Sequence, residues 1–228
     1  MKYGQFCPIA KAAEVLGERW TLLVLRELLS GATRYRDLQR GLGRISSSVL
    51  SARIKTLIDY GIVEKLDTDS ANGFEYRLTE AGAELAPIVE SIGVWGQRWV
   101  RSRMSRDELD LELLMLSVQR NFDASALGED HAVVAFVFSD LHGPNRRWWL
   151  LVDGGTTELC MHPPGRLEDV TLTCGLRTLV EVFAGGNTVR AAFDSGRLRA
   201  QGAPKLVRSV QRWLRASPLA AVPPARLS

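Results

Sequence analysis

The sequence is poor in the residues that build disulfide frameworks and metal sites. Its 228 residues include three cysteines and three histidines: Cys7, Cys160, Cys174, His131, His142 and His162. The cysteines are too few and too irregular for a disulfide framework or a zinc site, and the histidine spacings fit no helical metal motif. We therefore expect no metal and no other cofactor, and a reducing, cytoplasmic setting.

Long apolar runs and catalytic motifs are also missing. No stretch reaches about 18 uninterrupted apolar residues, so the sequence predicts no membrane span, and the first residues lack the apolar run of a signal peptide. No Ser/His/Asp order and no Gly-rich phosphate loop appears. Acidic pairs such as Asp107-Glu108 lie in polar connectors, which is typical of solvated surface. We expect a protein that is not an enzyme and does not contact a membrane.

The positive charge is concentrated in one stretch of the chain. The formal net charge is only +3. Six basic residues and one acid lie between Arg34 and Lys55, whereas the part from Ser105 to the end carries 14 basic and 14 acidic residues. Because phosphate contact requires such local concentration, the stretch is a candidate binding surface for double-stranded DNA.

A serine-headed helix lies inside this basic stretch. Ser46 is a candidate N-cap, and Leu50, Ile54 and Leu57 share one side at 100° per residue. Gly61 ends the segment. The opposite side carries Ser48, Ser51, Ala52 and Lys55. Short hydroxyl side chains allow a close approach to base edges, so this side suits the DNA major groove.

The elements around this helix complete a winged helix-turn-helix pattern. A short helix from Tyr35 to Gln39 precedes it. Two strands, Ile62–Leu66 and Phe74–Leu78, follow it, with the hairpin signal Asn72-Gly73 between them. The ordered set is more specific than any single member.

We expect nine residues of this region to contact DNA. They are Arg34, Arg36, Arg40, Ser46, Ser47, Ser48, Ser51, Arg53 and Lys55. The arginines are assigned to backbone phosphates, which position the protein, and the serines lie near base edges and the helix N-terminus. The alternative is that the serines only cap the helix and the arginines are solvated surface.

An apolar stripe then runs along a long helix predicted from Thr79-Glu80 to about Met104. Its members are Leu85, Ile88, Val89, Ile92, Trp95 and Trp99. The stripe is too long for a small winged domain to cover, so we expect it to form a homodimer interface. The alternative is that the second half of the same chain packs there.

The second half changes to a mixed pattern of strands and helices. Ser105 is a candidate cap for a helix that continues from Leu109 to Val118. The predicted strands are His131–Ser139, Trp148–Val152, Thr157–Met161, Val170–Thr173, Val189–Phe193 and Leu198–Ala200. Helices are predicted over Gly175–Phe183 and Lys205–Leu214. The pattern gives four parts: a winged domain over 1–104, a helical linker over 105–130, a second domain over 131–216, and a loose tail over 217–228.

The first part resembles a known family. Its motifs are Cys7-Pro-Ile, Leu16-Gly-Glu-Arg-Trp-Thr-Leu, Tyr35-Arg-Asp-Leu, Leu50-Ser-Ala-Arg-Ile and Glu75-Tyr-Arg-Leu-Thr-Glu-Ala-Gly. Together they resemble the HxlR-type branch of the MarR-like winged-helix regulators over residues 6–100. The resemblance implies a homodimer, with helix 46–60 in the major groove and the wing near the minor groove. Wings of this family usually carry proline and arginine, whereas the stretch Asp67–Gly73 carries two acids. Acids are unfavourable near phosphates, so we expect no strong minor-groove contact by the wing tip.

The resemblance also makes Cys7 a candidate redox sensor. Relatives use a cysteine in the Cys-Pro motif to detect oxidants or electrophiles. Cys7 directly precedes a helix, whose dipole stabilises a thiolate, and Lys2 and Lys11 are close in sequence. The alternative is that Cys7 merely packs near the dimer interface.

The second half is similar to sterol-carrier-protein-type domains. The similarity lies in Trp148-Trp-Leu-Leu-Val-Asp-Gly-Gly, Asp169-Val-Thr-Leu-Thr and Gly196-Arg-Leu-Arg-Ala-Gln-Gly, over about residues 120–216. It implies an apolar tunnel for a lipophilic small molecule. The expected lining is Val133, Phe136, Phe138, Leu176, Leu179 and Phe183. The alternative is that these side chains simply fill a core.

The sequence as a whole therefore predicts an α+β protein: a winged helix-turn-helix domain followed by an α/β domain with a mixed or antiparallel sheet. We expect a dimeric, sequence-specific transcriptional regulator, acting as a repressor that responds to a lipophilic ligand. The alternative is a lipid-binding or carrier module whose winged helix mediates dimerisation or protein docking.

Overall fold

The computed structural model describes residues 2–68, 73–100 and 109–225. The chain divides into two compact units, Met1–Trp95 and Gly96–Ser228. The elements of the first unit are α1 (Pro8–Leu16), α2 (Thr21–Leu29), α3 (Tyr35–Leu42), α4 (Ser47–Asp59), β1 (Val63–Asp67), β2 (Phe74–Leu78), α5 (Glu80–Ala83) and most of α6 (Ala86–Trp99). They form a winged helix-turn-helix, in which β1 and β2 are the antiparallel strands of the wing.

A residue with a left-handed backbone precedes α2. The helix begins at Thr21. Trp20 adopts a left-handed backbone with φ of 79°, the single non-glycine residue with positive φ in the described ranges. Such a conformation interrupts a right-handed helix. α1 and α2 are therefore separate helices joined by a sharp turn.

The predicted long helix after the wing is divided in two. Thr79 caps α5 by accepting a hydrogen bond from the Gly82 N–H at 3.2 Å. α5 ends at Ala83, and α6 begins at Ala86 after a gap of two residues, with Pro87 in its first turn. Pro87 has no N–H to donate to the carbonyl of Ala83, and in a continuous helix its ring would clash with that carbonyl, which explains the break. The predicted extension to Met104, the restart at Ser105 and the hairpin residue Asn72 lie outside the described residues.

The second unit contains a five-stranded mixed sheet. Its helices are α7 (Leu111–Asn121), α8 (Ala124–Leu127), α9 (Leu176–Phe183), α10 (Val189–Asp194), α11 (Pro204–Arg208) and α12 (Val210–Trp213). Its strands are β3 (His131–Phe138), β4 (Arg147–Asp153), β5 (Thr156–Cys160), β6 (Val170–Cys174) and β7 (Leu198–Gly202). The strand order is β5-β4-β3-β6-β7, and only β3 and β6 run parallel among these neighbours.

One side of this sheet carries the main core. Alternate residues of β3, such as Val134, Phe136 and Phe138, pack with the helices around Trp213, and all four are at most 1% exposed. α7 and α8 contribute Met115 and other buried side chains to the same core. The described residues of the segment expected to be a linker, 105–130, are thus part of the packed second unit.

The expected ligand-pocket residues do not all share one side of the sheet. Phe136, Phe138, Leu176 and Leu179 are buried in the main core, and Phe183 packs against it. Val133 lies in a separate cluster with Ala135 and Trp149. Because successive side chains of a strand point to opposite faces, Val133 cannot face the same cavity as Phe136.

Near the end of the chain, one predicted strand is wrong and one predicted helix is interrupted. Residues 189–193 form the helix α10 rather than a strand, since Thr188 caps them by accepting from the Ala191 N–H at 3.0 Å. Val189, Ala192 and Phe193 have helical spacing, which the short segment hid. The predicted helix Lys205–Leu214 is divided into α11 and α12 at Ser209. Within the predicted loose tail, residues 218–221 form a 3₁₀ turn.

Two features are absent from the part of the chain that the structure describes. No helix there is long and apolar enough to cross a membrane. No group of three or more His, Cys, Asp or Glu side chains is placed to hold a metal ion in those ranges.

Candidate nucleic-acid interface

α4 is the centre of the candidate interface. Ser46 caps it, with its Oγ accepting from the Val49 N–H at 3.4 Å. Leu50, Ile54 and Leu57 are 0%, 3% and 0% exposed and pack into the core of the first unit. This confirms the predicted inward face of the helix and the predicted cap.

The opposite face of α4 is open to solvent in the chain. Ser48, Ser51, Ala52 and Lys55 are all exposed, as their positions on the helix predicted. The Lys55 ammonium lies 2.6 Å from the Asp59 carboxylate, one turn further along the helix. The cation that the sequence assigned to this face is therefore paired with an acid on the same face.

Two side chains of α3 hold α4 in place. The Tyr35 hydroxyl donates to the Ser47 carbonyl at 2.8 Å and lies 3.2 Å from the Ser51 Oγ. The Gln39 amide donates to the Ser47 Oγ at 3.0 Å. These contacts set the distance between the two helices of the helix-turn-helix. Sequence reasoning missed Tyr35 and Gln39, although their i, i+4 spacing places them on one face of α3.

Arg53 is turned toward the protein. Its Nε donates to the Arg19 carbonyl at 3.0 Å, and its guanidinium lies 3.0 Å from the Glu18 carboxylate. The sequence placed Arg53 at a DNA phosphate. Its contacts instead tie α4 to the turn between α1 and α2, so the geometry assigns it a positioning role.

The three other predicted phosphate ligands are exposed around α3. Arg34, Arg36 and Arg40 all have solvent-accessible side chains. The Arg34 guanidinium lies 3.9 Å from the Glu75 carboxylate of the wing, a long ion pair in which the arginine is the exposed partner.

A buried acid that the sequence analysis missed supports the turn after α3. Glu27 on α2 is 0% exposed, and its carboxylate accepts two hydrogen bonds from Arg26, at 3.0 and 2.7 Å. Arg26 also donates to the Gly41 carbonyl at 3.0 Å. A buried charge is tolerated when it is paired in this way. The sequence feature that could have identified Glu27 is a lone acid within an otherwise apolar helix face.

The wing adds two cations that the sequence analysis did not name. Lys65 on β1 lies with its ammonium 3.4 Å from the centre of the Phe74 ring, and Arg77 on β2 pairs with Glu75 at 2.9 Å. The Tyr76 N–H donates to the Thr33 carbonyl at 2.7 Å, which ties the wing to the loop before α3. Burial raises the pKa of the Tyr76 hydroxyl, so it stays neutral there.

The apolar stripe of α6 divides into two sides. Leu85, just before α6, and Val89 pack against the core of the first unit. Ile88, Ile92 and Trp95 are 45%, 45% and 59% exposed and line an apolar groove of about 460 Å³. Trp99, at the end of the helix, is also exposed. The predicted stripe is thus partly core and partly an uncovered surface.

Cys7 occupies the N-cap position of α1 and is half-buried. Lys11, which is close to Cys7 in sequence, pairs with an acid: its ammonium lies 3.1 Å from the Glu14 carboxylate. The positive charge expected near the thiol is therefore offset by that acid. A hydrogen bond from the Tyr3 backbone N–H, followed by the contact with Lys11, lowers the pKa of Glu14, so this acid stays ionised beside the lysine.

Comparisons with known proteins concern the part of the chain that holds this interface. Residues 15–104 match the model of the HxlR-like helix-turn-helix family. YvaP of Bacillus subtilis, an uncharacterized HTH-type transcriptional regulator, is 34% identical over 102 residues, covering 44% of this chain and 94% of YvaP. Rv3095 of Mycobacterium tuberculosis, another such regulator, is 39% identical over 93 residues, covering 40% of this chain and 58% of Rv3095. The chain therefore spans less than two thirds of the length of Rv3095.

Among solved structures, the reduced form of the transcriptional regulator YodB from Bacillus subtilis is similar to this chain. The two are 28% identical, and the match covers 41% of this chain and 93% of YodB with a TM-score of 0.37.

Proposed function

The chain belongs to the HxlR-like helix-turn-helix family, and we propose that it is a transcriptional regulator that binds specific DNA sequences through α4. The observation that carries the proposal is the outward face of this helix. Its apolar side is sealed in the core, while Ser48, Ser51 and Lys55 remain exposed beside the basic α3. Short polar side chains on a rigidly held helix suit contact with base edges in the major groove.

The arginines around α3 take the phosphate contacts. Arg34, Arg36 and Arg40 are exposed on the helix that precedes α4. Ser46 and Ser47 lie at the N-terminus of α4, where the helix dipole favours a phosphate. Arg53 holds α4 through Glu18 and is left out of this set.

The regulator acts as a homodimer through the exposed side of α6. The groove lined by Ile88, Ile92 and Trp95 supports this, because exposed apolar patches of this kind mark interaction sites. Two copies would present two α4 helices to half-sites on one face of the duplex. Repression would follow from occlusion of the promoter.

A lipophilic effector in a sterol-carrier-like second unit is the proposed regulatory input. The support is a mixed sheet whose apolar side is covered by helices. Since Phe136, Phe138 and Leu179 are at most 1% exposed, such a ligand would have to displace side chains that fill the core. Binding of a fluorescent fatty acid to the full chain, and its effect on DNA affinity, test this input.

The second proposed regulatory signal is oxidation, with Cys7 as the sensor. Its half-buried position directly before α1 supports this proposal. Labelling Cys7 with a thiol reagent should change DNA affinity, and unchanged affinity of the labelled protein would remove the proposal.

Selection of bound sequences from random duplexes tests the central proposal. We expect enrichment of a pseudo-palindrome.

With the selected duplex, Arg36→Ala should weaken binding and lower the salt slope by about one, because one phosphate contact is lost. The matched control is Arg212→Ala in α12, an exposed arginine of the second unit, which should leave both unchanged. No enriched sequence, or equal effects of the two variants, would favour a carrier module with a docking winged helix.

A further inference from the structure

A cleft in the second unit lies at the carboxyl ends of its two parallel strands. Its volume is about 420 Å³, and it is lined by residues that include Ser139, Thr173, Thr178, Arg197 and Arg199. β3 ends at Phe138, β6 ends at Cys174, and α9 follows β6 directly. Ligands of open α/β sheets bind outside the carboxyl ends of parallel strands. The volume is within the range of small-molecule sites.

The cleft has a cationic wall. Arg197 and Arg199 flank Leu198, whose side chain is buried in the core, so both arginines point away from that core. Arg197 pairs with Glu181 at 2.9 Å. Arg199 lies opposite Thr173 in the strand register and has no acidic partner among the residues that the structure describes. Its guanidinium is available for an anion.

A hydroxyl that opens into the cleft lies on another wall. Thr178, in the first turn of α9, is only 9% exposed and lines the cleft. Within residues 2–68, 73–100 and 109–225 its Oγ1 makes no hydrogen bond. A hydroxyl can donate one hydrogen bond and accept others, so this group is available to a ligand atom in the cleft.

The start of α9 supplies further donors. The Leu176 N–H already donates to the Asp140 carboxylate, at 2.9 and 3.1 Å. The following N–H groups of a first turn have no acceptor within the helix. Asp140 and Glu181 are the acids around the cleft, so a bound anion is favoured toward Arg199 rather than toward Asp140.

We propose that this cleft binds a small organic molecule through an oxyanion, a carboxylate or a phosphate. The oxyanion pairs with Arg199, and the Thr178 hydroxyl donates to it from the first turn of α9. All the residues that line the site belong to the second unit. It makes the second unit a receptor for a polar metabolite.

Binding of inorganic phosphate and of acetate to the full chain, without DNA, tests the proposal. Both anions are titrated against sodium chloride at equal ionic strength, and the backbone amide resonances of residues 175–178 and 47–49 are followed by NMR. We expect saturable shifts at 175–178 with phosphate, acetate or both. The responding anion identifies the group. Shifts confined to 47–49, or shifts equal to those in chloride, would overturn the proposal.

Matched variants separate binding from structure. Arg199→Gln should weaken anion binding about tenfold, the loss of one charged hydrogen bond, whereas Arg212→Gln should not change it. Thr178→Val should weaken binding without lowering the unfolding midpoint of the anion-free protein, because the hydroxyl has no partner there. Anion affinity that is the same in Arg199→Gln and Arg212→Gln would contradict the assignment.

Discussion

At the scale of single residues, the charge that the interface offers to DNA depends on which cations are already paired. Lys55 and Asp59 lie 2.6 Å apart, and both side chains are more than half exposed. Arg53 has its guanidinium on Glu18. A sequence count of basic residues therefore overstates the charge that is free for phosphates.

Removing the acid beside Lys55 should strengthen DNA binding. We expect Asp59→Asn to raise affinity and to steepen the salt dependence by up to about one in slope, since one more cation meets phosphate. Fluorescence anisotropy with a labelled duplex at several salt concentrations measures both quantities. Asp194→Asn, which frees Arg190 in the second unit from a similar i, i+4 pair, is the control. Equal changes in the two variants would contradict the placement of Lys55 at DNA.

A buried thiol makes the stability of the second unit depend on alkaline pH. Burial, with a smaller effect of Asp140, raises the pKa of Cys174 from 9.0 to about 12. Below pH 9 the thiol is neutral in both the folded and the unfolded chain and gives no pH dependence. Between pH 9 and 12 only the unfolded chain ionises, so the free energy of unfolding should fall by up to about 1.4 kcal/mol per pH unit.

Chemical denaturation of the wild type and Cys174→Ala across pH 8–11 isolates this effect. The variant is expected to be less stable at pH 8 because it lacks a buried sulfur, and the gap should narrow as pH rises. A gap that stays constant over this interval would show that the thiol does not titrate differently in the two states.

At the scale of elements, a close approach of backbones fixes the junction between the wing and α5. A Cβ at Gly82 would lie 2.2 Å from the Ile62 carbonyl oxygen and 2.9 Å from Leu78 Cδ2. We expect Gly82→Ala to destabilise the first unit by about 1–3 kcal/mol, the usual cost of overpacking. In α6, Gly96→Ala meets nothing within 4 Å and should be neutral or stabilising by up to about 1 kcal/mol. Urea unfolding followed by circular dichroism compares them, and equal stabilities would refute the close approach.

The contact between α3 and α4 makes a second element-scale prediction. Tyr35→Phe removes the hydroxyl that donates to the Ser47 carbonyl. We expect a loss of about 1 kcal/mol in unfolding free energy and weaker discrimination between the selected duplex and a random one. Tyr60→Phe is the control, because the Tyr60 side chain is exposed and has no hydrogen-bond partner among the described residues. Competition binding with the two duplexes measures discrimination, and an unchanged ratio for Tyr35→Phe would exclude this role.

The predictability of elements follows the range of the interactions that decide them. The inward face of α4 and the cap at Ser46 follow from local periodicity and capping, and both were predicted. The left-handed Trp20 and the ion pair of Arg53 with Glu18 depend on contacts made only in the folded unit. The segment 189–193 was predicted as a strand because its five apolar and basic residues fit the strand period as well as the helical period. In the structure the cap at Thr188 starts a helix there.

At the scale of the whole molecule, the exposed side of α6 determines the expected oligomeric state. Trp95→Glu places a charge in the apolar groove and should convert a dimer to a monomer in light scattering. The control is Leu167→Glu, since Leu167 is 93% exposed and lies in the second unit. A dimer that survives Trp95→Glu, or dissociates equally in the control, would place the interface elsewhere.

The two halves of the molecule differ in how much of their structure the sequence patterns predict. The first half carries dense motifs with specific spacing, so its family could be recognised. In the second half, the strand pattern predicted a mixed or antiparallel sheet, but it did not predict that β3 and β6 are neighbours. β3 and β6 are neighbours in the sheet although β4 and β5 lie between them in the sequence. The alternation of side chains does not indicate which distant strand is the partner.

The parallel pairing of β3 with β6 has a consequence for biosynthesis. The first unit completes its helices and hairpin from neighbouring segments, and it leaves the ribosome first. The sheet of the second unit must wait until β6 emerges, and β6 keeps an open edge until β7 follows. A nascent or truncated chain that stops before Leu198 would expose that edge as a template for aggregation. Synthesis of β7 therefore covers the edge of β6 and protects the new chain from aggregation there.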